Sequence, residues 1–210
     1  MKLYTLPGAP NPTKVMLFIA EKEALGVDLG VEQVVVNVFK GEHKQPAYLE
    51  KSPFGTMPAL ELSSGEFVFE SLAIMETLDE VAPEPSLWGA TFAQRAVNRT
   101  LERVADARVL VPTATYVHAV NSPLGFAPDE AVAERSKVAF TNGLRYLNGV
   151  LADGRDWLGG SSVSVADCTL QGALQFMRFR ELEDLREFPH IAAWSERYRA
   201  RPTAQDVLIF

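Results

Sequence analysis

The sequence predicts a mixed α/β domain in residues 1–81 and an all-helical domain in residues 89–210, joined by a linker over residues 82–88. In the first part, short apolar runs and helical patterns alternate in the order β-α-β, an irregular segment and then β-β-α. Pro83 and Pro85 then interrupt the chain, and prolines at this spacing break helices and stiffen a linker. Only helical patterns follow them.

Composition excludes several other classes. The chain has 210 residues, of which 47% are hydrophobic and 22% charged, and its formal net charge is −7. Such a chain can bury a substantial core and does not have the composition of a disordered protein. An acidic chain without a basic run is a poor candidate for general nucleic-acid binding. Neither a signal-like apolar stretch at the N-terminus nor a run long enough to span a membrane occurs, so we expect a cytoplasmic protein with no membrane partner.

The α/β part begins with the apolar run of residues 2–6, which Pro7-Gly8 ends as a turn ends a buried strand. Pro12 suits the first turn of a helix, and the apolar spacing after it predicts a helix up to Leu25. The later elements are a valine-rich strand over residues 31–38, a polar loop with at most one short helix over 40–52, a hairpin of 58–62 with 67–69, and a helix over 71–81. A β-α-β unit pairs its strands in parallel, whereas a hairpin is antiparallel, so we expect a mixed four-stranded sheet.

The helical part starts with one long pattern from Thr91 to Asn121. Pro112 lies inside it and predicts a kink or a break near Val111. Ser164 and Asp167 have the spacing of a capping box, with Asp in place of Glu, and we interpret them as a folding signal. The remaining predicted helices cover residues 128–151, 164–177 and 190–199.

The turn from Pro7 to Lys14 is the first candidate binding segment. It lies at the carboxyl end of the first strand, where α/β sheets usually bind ligands. The start of the following helix offers free N–H groups and partial positive charge, which suit an anion or a thiolate. Asn11 directly precedes Pro12 and is therefore also a natural N-cap, so capping alone would explain it.

Two further segments are candidates. Pro58, after Thr56 and Met57, begins a strand, and an ordinary trans proline at a strand edge would account for it. Glu70 and Ser71 stand where a strand meets its helix, with Ser71 as a good N-cap. A carboxylate, a hydroxyl and free helix N–H groups at one point would satisfy a ligand that carries both an ammonium and a carboxylate.

The histidines and the single cysteine indicate no metal site. His43, His118 and His190 have no metal-ligand spacing. From its polar loop, His43 is expected at the surface, and the other two are expected to pack within helices. Cys168 lies in an apolar helix, so we expect it to be buried and inert, and it cannot form an intrachain disulfide.

Four segments, in this order and at this spacing, resemble the cytosolic glutathione transferases. They are KLYTLPGAPNPTKV, GEHKQPAYLEKSPFGTMPALEL, FESLAIMETL and SVADCTL, and the resemblance covers almost the whole chain. It implies a thioredoxin-like N-terminal domain, a helical C-terminal domain, glutathione as co-substrate and a homodimer.

The resemblance also implies roles for the candidate segments. Pro58 would be cis, and the Met57 backbone would pair with the cysteinyl backbone of glutathione, as in β-augmentation. Glu70 and Ser71 would take the γ-glutamyl ammonium and carboxylate. His43 would face the glycyl carboxylate, and Thr56 would assist in binding glutathione.

The catalytic position departs from the commoner patterns of the family, which place Tyr, Ser or Cys near the start of helix one. Pro10 stands at the Ser or Cys position, Asn11 is the adjacent polar side chain and Thr13 follows, whereas Tyr4 lies within a strand and is expected to be packed. The string resembles the bacterial nu-type transferases, which carry an asparagine here. An Asn amide can donate a hydrogen bond to a thiolate but cannot act as its base. We predict that Asn11 and the amides of helix one stabilise the glutathione thiolate.

Nu-type relatives favour glutathione-dependent disulfide reduction over conjugation. Without a protein cysteine near the thiol, glutathione itself would attack and a second glutathione would resolve the product. Three alternatives stay open: a conventional transferase acting on aromatic halides, epoxides or peroxides; a dehalogenase or isomerase on the same scaffold; and a non-catalytic module that binds glutathione or a protein.

The pocket for the small hydrophobic electrophile or disulfide is expected between the domains, with Arg108 reaching an anionic co-substrate. Phe54 and the outer face of the helix over 91–111 are the expected dimer contacts. The expected pocket residues are Pro10 from the first turn, and Arg108, Val109, Pro112, Thr113 and Tyr116 from the long helix.

Overall fold

The computed structural model describes residues 1–209 and contains the expected mixed sheet. Its strands are β1 (Lys2–Thr5), β2 (Glu32–Val35), β3 (Ala59–Glu61) and β4 (Phe67–Phe69). They lie in the order β2-β1-β3-β4, with β1 parallel to β2 and the other two pairs antiparallel. The second strand is shorter than predicted because the chain turns into a 3₁₀ helix over Val38–Lys40.

Three helices belong to the α/β part. They are α1 (Pro10–Ala24), α2 (Pro46–Leu49) and α3 (Ser71–Val81). The prediction that Asn11 caps α1 is wrong. The helix begins two residues earlier than expected, because a proline is well suited to a first-turn position where its missing N–H costs nothing, and Ala9 is the N-cap. Ser71 is likewise the first residue of α3 and not its cap, which is Glu70.

The helical part contains the predicted break. The residues of the break, Ala105–Leu110, form a π-helical turn immediately before Val111. The reason is Pro112, whose ring cannot accept the ordinary helical approach of the Arg108 carbonyl, so that the preceding turn widens. The helices of this part are α4 (Phe92–Val104), α5 (Val111–Asn121), α6 (Glu130–Leu151), α7 (Val165–Phe179), α8 (Pro189–Arg199) and α9 (Pro202–Val207). The last of these was not predicted, because six residues are too few to show a period.

Helix α7 is the centre of the core, and it packs against α1, α4 and α5. Its start confirms the predicted capping box. Asp167 is completely buried and accepts hydrogen bonds from Ser164 N, Leu158 N and Trp194 Nε1, each at 2.8 Å. Cys168 is also completely buried, as predicted, and burial raises the pKa of its thiol well above the usual value, which disfavours the reactive thiolate.

Buried polar contacts join the α/β and helical parts. Lys14 of α1 is fully buried, and its Nζ lies 2.7 Å from Asp106 Oδ1 and 3.6 Å from Glu102 Oε1. A buried ammonium requires such partners, because an unpaired one would cost several kcal/mol of desolvation. One residue closer to the helix start, Thr13 Oγ1 accepts a hydrogen bond of 3.0 Å from Gln175 Nε2 of α7. These contacts fix the start of α1 against the helical part.

No helix within residues 1–209 combines the length and apolarity that crossing a membrane would require.

Candidate active site

A cleft of about 380 Å³ opens between the α/β and helical parts. The β1–α1 turn forms its floor, and aromatic side chains from α7 form much of the opposite wall. The lining residues of the α/β part include Pro10, Asn11, Phe39, His43, Thr56 and Met57. Those of the helical part include His118, Pro123, Leu124, Phe176 and Phe179.

The first turn of α1 carries the predicted thiolate-stabilising group. Asn11 is half-buried and lines the cleft, whereas Thr13 is buried and held by α7, so Asn11 is the polar side chain of this turn that reaches the cleft. Pro10 and Pro12 have no N–H, and Thr13 N donates to Ala9 O at 3.0 Å. Among residues 1–209 the Asn11 N–H has no partner, and it is therefore the unpaired main-chain donor of this turn. We expected several amides of helix one to face the thiolate. In this turn a single residue, Asn11, offers N–H groups, from both its main chain and its side chain.

The Glu70-Ser71 segment touches this turn directly. The Ser71 hydroxyl donates a hydrogen bond of 3.0 Å to Asn11 Oδ1, although the two residues are 60 positions apart. Glu70 has a φ of 71° and a ψ of 117°, in the left-handed half of the φ range that a non-glycine residue rarely adopts. Strain of this kind is often found at functional sites. The Glu70 side chain is exposed, next to the start of α3.

The Met57–Pro58 bond is cis, as the resemblance implies. Met57 lines the cleft, and within residues 1–209 its main-chain N–H and C=O have no hydrogen-bond partner. Thr56 also lines the cleft, and its carbonyl accepts a hydrogen bond of 2.8 Å from the Tyr48 hydroxyl. A free main-chain edge next to an open cleft is the arrangement to which an extended peptide can add as a strand.

His43 reaches the cleft from a short 3₁₀ turn, and the expectation of a plain surface position is wrong. Its Nδ1 is buried and has no partner within residues 1–209. Gly55 makes this approach possible: its φ is 63°, and a Cβ at this position would lie 2.9 Å from the His43 carbonyl oxygen. An unpaired imidazole nitrogen in a cleft wall is a ready partner for a ligand carboxylate.

His118 is the site residue that the sequence did not indicate. It packs as expected, with ring centroids 5.3 Å from Phe126 and 5.7 Å from Phe176, but it also lines the cleft from α5. Its Nδ1 lies 2.9 Å from Ser122 Oγ. Burial lowers the pKa of His118, so the imidazole is neutral at pH 7. His190, by contrast, is exposed on α8 and does not pack as predicted.

Of the residues predicted for the electrophile pocket, Pro10 alone lines the cleft. Val109 and Thr113 are fully buried in the helical core. Arg108 and Pro112 line a separate groove beside α6, and Tyr116 packs edge-on against Phe140 at 5.2 Å. The π-helical turn explains the difference, because it adds a residue per turn and rotates the faces that helical spacing assigns across it. The cleft is reached further along the chain, by His118, Pro123 and Leu124.

The described residues that line the cleft include no lysine, arginine, aspartate or glutamate. Its ionisable groups are the two imidazoles, and its helical wall is mainly apolar and aromatic. Within residues 1–209, no three or more His, Cys, Asp or Glu side chains form a group that could hold a metal ion.

These features define a two-domain protein with a mixed sheet, a cis-proline turn and a candidate site between an α/β and a helical domain. Family models match in two parts: glutathione S-transferase, N-terminal domain, over residues 1–80, and glutathione S-transferase, C-terminal domain, over residues 104–202. Glutathione S-transferase 2 of Saccharomyces cerevisiae is 32% identical over 99% of this chain and 89% of its own length. The crystal structure of Gtt2 from Saccharomyces cerevisiae superposes with a TM-score of 0.88 at 32% identity, covering 99% of this chain and 100% of that one. A maleylacetoacetate isomerase of Pseudomonas aeruginosa is 39% identical over 47% of this chain and 45% of its own length. The chain belongs to the glutathione S-transferase family, which confirms the resemblance seen in the sequence.

Proposed function

We propose that the protein binds glutathione in this cleft and stabilises its thiolate for attack on an uncharged electrophile or a small disulfide. The observation that carries the proposal is that one cleft is lined both by Asn11, whose amide oxygen accepts a hydrogen bond from the Ser71 hydroxyl, and by Met57, whose main chain is unpaired within residues 1–209. Each suits a different part of an extended tripeptide that carries a thiol.

The tripeptide is proposed to lie along the α/β side of the cleft. The exposed Glu70 carboxylate complements the γ-glutamyl ammonium, and the N-terminus of α3 complements the γ-glutamyl carboxylate. The Met57 main chain pairs with the cysteinyl backbone. At the other end, His43 Nδ1 meets the glycyl carboxylate, which would satisfy a buried nitrogen that otherwise has no partner.

The cysteinyl thiol then lies next to Asn11. A free thiol has a pKa of about 8.5, and each unit by which the site lowers it corresponds to about 1.4 kcal/mol of preference for the thiolate. Two N–H donors of Asn11 and the partial positive charge of the start of α1 supply this preference. Asn11 cannot take up the proton that the thiol releases.

His118 is proposed as the proton acceptor. It stands on the opposite wall of the cleft, and burial, which lowers the pKa of His118, favours the neutral imidazole, the form that can accept a proton. When its Nδ1–H donates to Ser122 Oγ, Nε2 is left with a lone pair that can accept a proton. Asn11 would thus stabilise the thiolate and His118 would receive the proton.

The cleft walls favour an uncharged second substrate. Phe39, Phe176 and Phe179 supply aromatic surface, and the described lining has no cation to match a substrate carboxylate. Isomerisation of a dicarboxylate is therefore less well supported than conjugation or disulfide reduction. Arg108, which lies in another groove, is no longer a candidate for binding an anionic substrate.

A paired assay tests the proposal. Purified protein is given glutathione with a model aryl halide and, separately, with a small uncharged disulfide coupled to glutathione reductase. Activity on the disulfide alone would support the reductase reading, and activity on the halide alone would support conjugation. If glutathione fails to raise the melting temperature, or neither substrate reacts, the enzymatic proposal is wrong. Glu134→Ala, at an exposed position of α6 that does not line the cleft, serves as the control variant.

We also propose that the protein forms a homodimer through Phe54 and α4. The Phe54 side chain is 72% exposed and stacks edge-on with Phe69, while α4 exposes Phe92 and Val97. Exposed apolar side chains of this size are common at protein interfaces. A molar mass measured by light scattering that corresponds to one chain would contradict this proposal, and Phe54→Ala is expected to weaken the dimer.

A further inference from the structure

We infer that Gln175 is a positioning residue for the candidate site, which ties the segment of residues 201–209 to the first turn of α1 and so holds Asn11 in place beside the glutathione thiol. The inference rests on the proposed binding of glutathione and adds a determinant that lies behind the cleft. Gln175 is not among the described residues that line the cleft, so it acts through the turn and not on the ligand. A side-chain amide suits this role, because it can bond two segments at once.

The first observation is the pair of hydrogen bonds that Gln175 makes. Its side chain lies on α7 and is completely buried. Nε2 donates a hydrogen bond of 3.0 Å to Thr13 Oγ1, and Oε1 accepts one of 3.1 Å from Ile209 N. A main-chain N–H can only donate, so the bond from Ile209 fixes which end of the amide is the oxygen. The amide nitrogen is thereby directed at Thr13.

The second observation is that residues 201–209 are fastened to α1. Glu21 of α1 is 2% exposed and forms a bidentate pair with Arg201, with hydrogen bonds of 2.9 and 2.5 Å. Thr203 Oγ1 donates a further hydrogen bond of 2.6 Å to Glu21 Oε1. A bidentate pair of this kind adds geometric specificity. Helix α9 also packs against α1, so this end of the segment has a fixed position on that helix.

The other end of the segment reaches the β1–α1 turn. A Cβ added at Gly8 would lie 2.8 Å from Ile209 Cδ1, so the Ile209 side chain packs directly against the turn that forms the cleft floor. Leu208, the preceding residue, is partly buried against the hydrophobic core. Ile209 N is therefore held at a defined place, and the Gln175 amide is oriented by it.

The third observation is that the first turn of α1 has few main-chain bonds of its own. Asn11 lies between two prolines, which have no N–H to donate. Thr13 is 1% exposed, and its side chain is the point at which Gln175 holds this turn. Phe176, the residue after Gln175, lines the cleft. One stretch of α7 therefore carries part of the cleft wall and sets its distance from the Asn11 donors.

The test removes each hydrogen bond of Gln175 and compares the result with a matched control. Gln175→Met keeps an unbranched side chain of similar length but loses both bonds. Ile209→Pro removes the N–H. Leu208, with a φ of −78° and a ψ of 135°, already has the extended conformation that a following proline requires. Ile209→Ala loses the same apolar contact with Gly8 but keeps the N–H, so it is the control for Ile209→Pro.

Gln171→Met is the control for Gln175→Met. Gln171 lies one turn earlier on α7 and is also completely buried, but it accepts its hydrogen bond from Ser195 Oγ of α8, at 3.3 Å. Thr13→Val, alone and combined with Gln175→Met, completes the set. For each variant we measure the pKa of bound glutathione from its thiolate absorbance, the Kd of S-methylglutathione by calorimetry, and the melting temperature. S-methylglutathione has no ionisable thiol.

For Gln175→Met we expect the pKa of bound glutathione to rise by about one unit, a tenfold loss of thiolate below that pKa, since a displacement of the turn by about 0.5 Å suffices for such a loss. Thr13→Val raises this pKa by a similar amount and adds nothing in the Gln175→Met background, because both changes remove the same contact. Ile209→Pro raises it by about half a unit, or threefold in thiolate. Ile209→Ala and Gln171→Met leave it unchanged. The Kd of S-methylglutathione stays that of wild type throughout.

Two results would overturn the inference. One is a folded Gln175→Met protein in which the pKa of bound glutathione is that of wild type. The other is an equal rise in Gln171→Met, which would mean that the loss of any buried amide of α7 disturbs the site. Both leave the proposed function standing, whereas wild type that binds neither glutathione nor S-methylglutathione refutes that function itself. If Gln175→Met does not fold, the Ile209 pair decides: equal pKa values in Ile209→Pro and Ile209→Ala contradict the inference.

Discussion

The contact between Gly172 of α7 and the first turn of α1 leads to a prediction that connects packing with catalysis. A Cβ added at Gly172 would lie 2.9 Å from the Pro10 carbonyl oxygen and 3.3 Å from Lys14 N. In Gly172→Ala the first turn must therefore retreat by about 0.5 Å to reach an ordinary contact distance. The Asn11 donors belong to this turn and must move with it.

The expected magnitude combines two opposing effects. Alanine gains about 1 kcal/mol over glycine in a helix, and overpacking a buried contact costs about 1–3 kcal/mol, so Gly172→Ala loses up to about 2 kcal/mol. A chain of this size loses about 2–4 °C of melting temperature for each kcal/mol. A misplacement of about 1 Å can cost about 100-fold in rate, so half of that displacement is expected to lower kcat about tenfold.

The assay pairs Gly172→Ala with Gly149→Ala. Gly149 is also helical, but a Cβ there would meet nothing within 4 Å. Gly149→Ala is thus expected to raise the melting temperature slightly and leave kcat unchanged, which isolates the contact with Pro10. If Gly172→Ala is as stable as Gly149→Ala and retains wild-type kcat, the reasoning that links this contact to the catalytic turn is refuted.

Three further predictions concern the cleft and the cysteine. Asn11→Ala should move the pH profile of kcat/KM upward by about one unit, because it removes a donor to the thiolate; an unchanged profile would mean that the side chain does not stabilise the thiolate. His118→Ala should lower kcat at pH 7 about 100-fold. In wild type, burial disfavours the imidazolium, so the His118 ring followed by NMR should protonate at a pH below the ordinary range of histidine; protonation within or above that range would contradict this sign. Native protein should resist alkylation of Cys168, and Cys168→Ala should retain kcat, since the thiol is completely buried; rapid labelling in the folded state would show that the assignment is wrong.

Local signals predicted most of the elements and part of the site. The mixed sheet, the break before Pro112, the capping box at Ser164 and the buried Cys168 each depend on a residue and its near neighbours, and the structure confirms them. The boundaries of α1 were less certain, because Pro10 and Pro12 are both acceptable in a first turn. The wrong assignment of Asn11 as the cap follows from that ambiguity.

The residues of the opposite wall could not be predicted in the same way. Helical spacing was applied across the π-helical turn at Ala105–Leu110, where it does not hold, and it therefore selected Val109 and Tyr116 in place of His118. For Phe176 and Phe179 of α7, the sequence did not show which side of the helix faces the cleft. A helix that is buried on nearly all sides has no polar face from which its orientation can be predicted.

The sequence by itself determined the order of the elements and the family, and it predicted the α/β half of the candidate site, because those depend on short motifs and on periods within one element. Tertiary structure alone decided that Ser71 meets Asn11 across 60 residues, that His43 has an unpaired nitrogen in the cleft, and that His118 stands opposite them. The first contact arises from the packing of α1 against α3, and the opposite wall is positioned by the packing of α1 against α7, which the close approach at Gly172 permits. No local pattern encodes such contacts, since each one depends on where two distant segments come to lie after the core has formed.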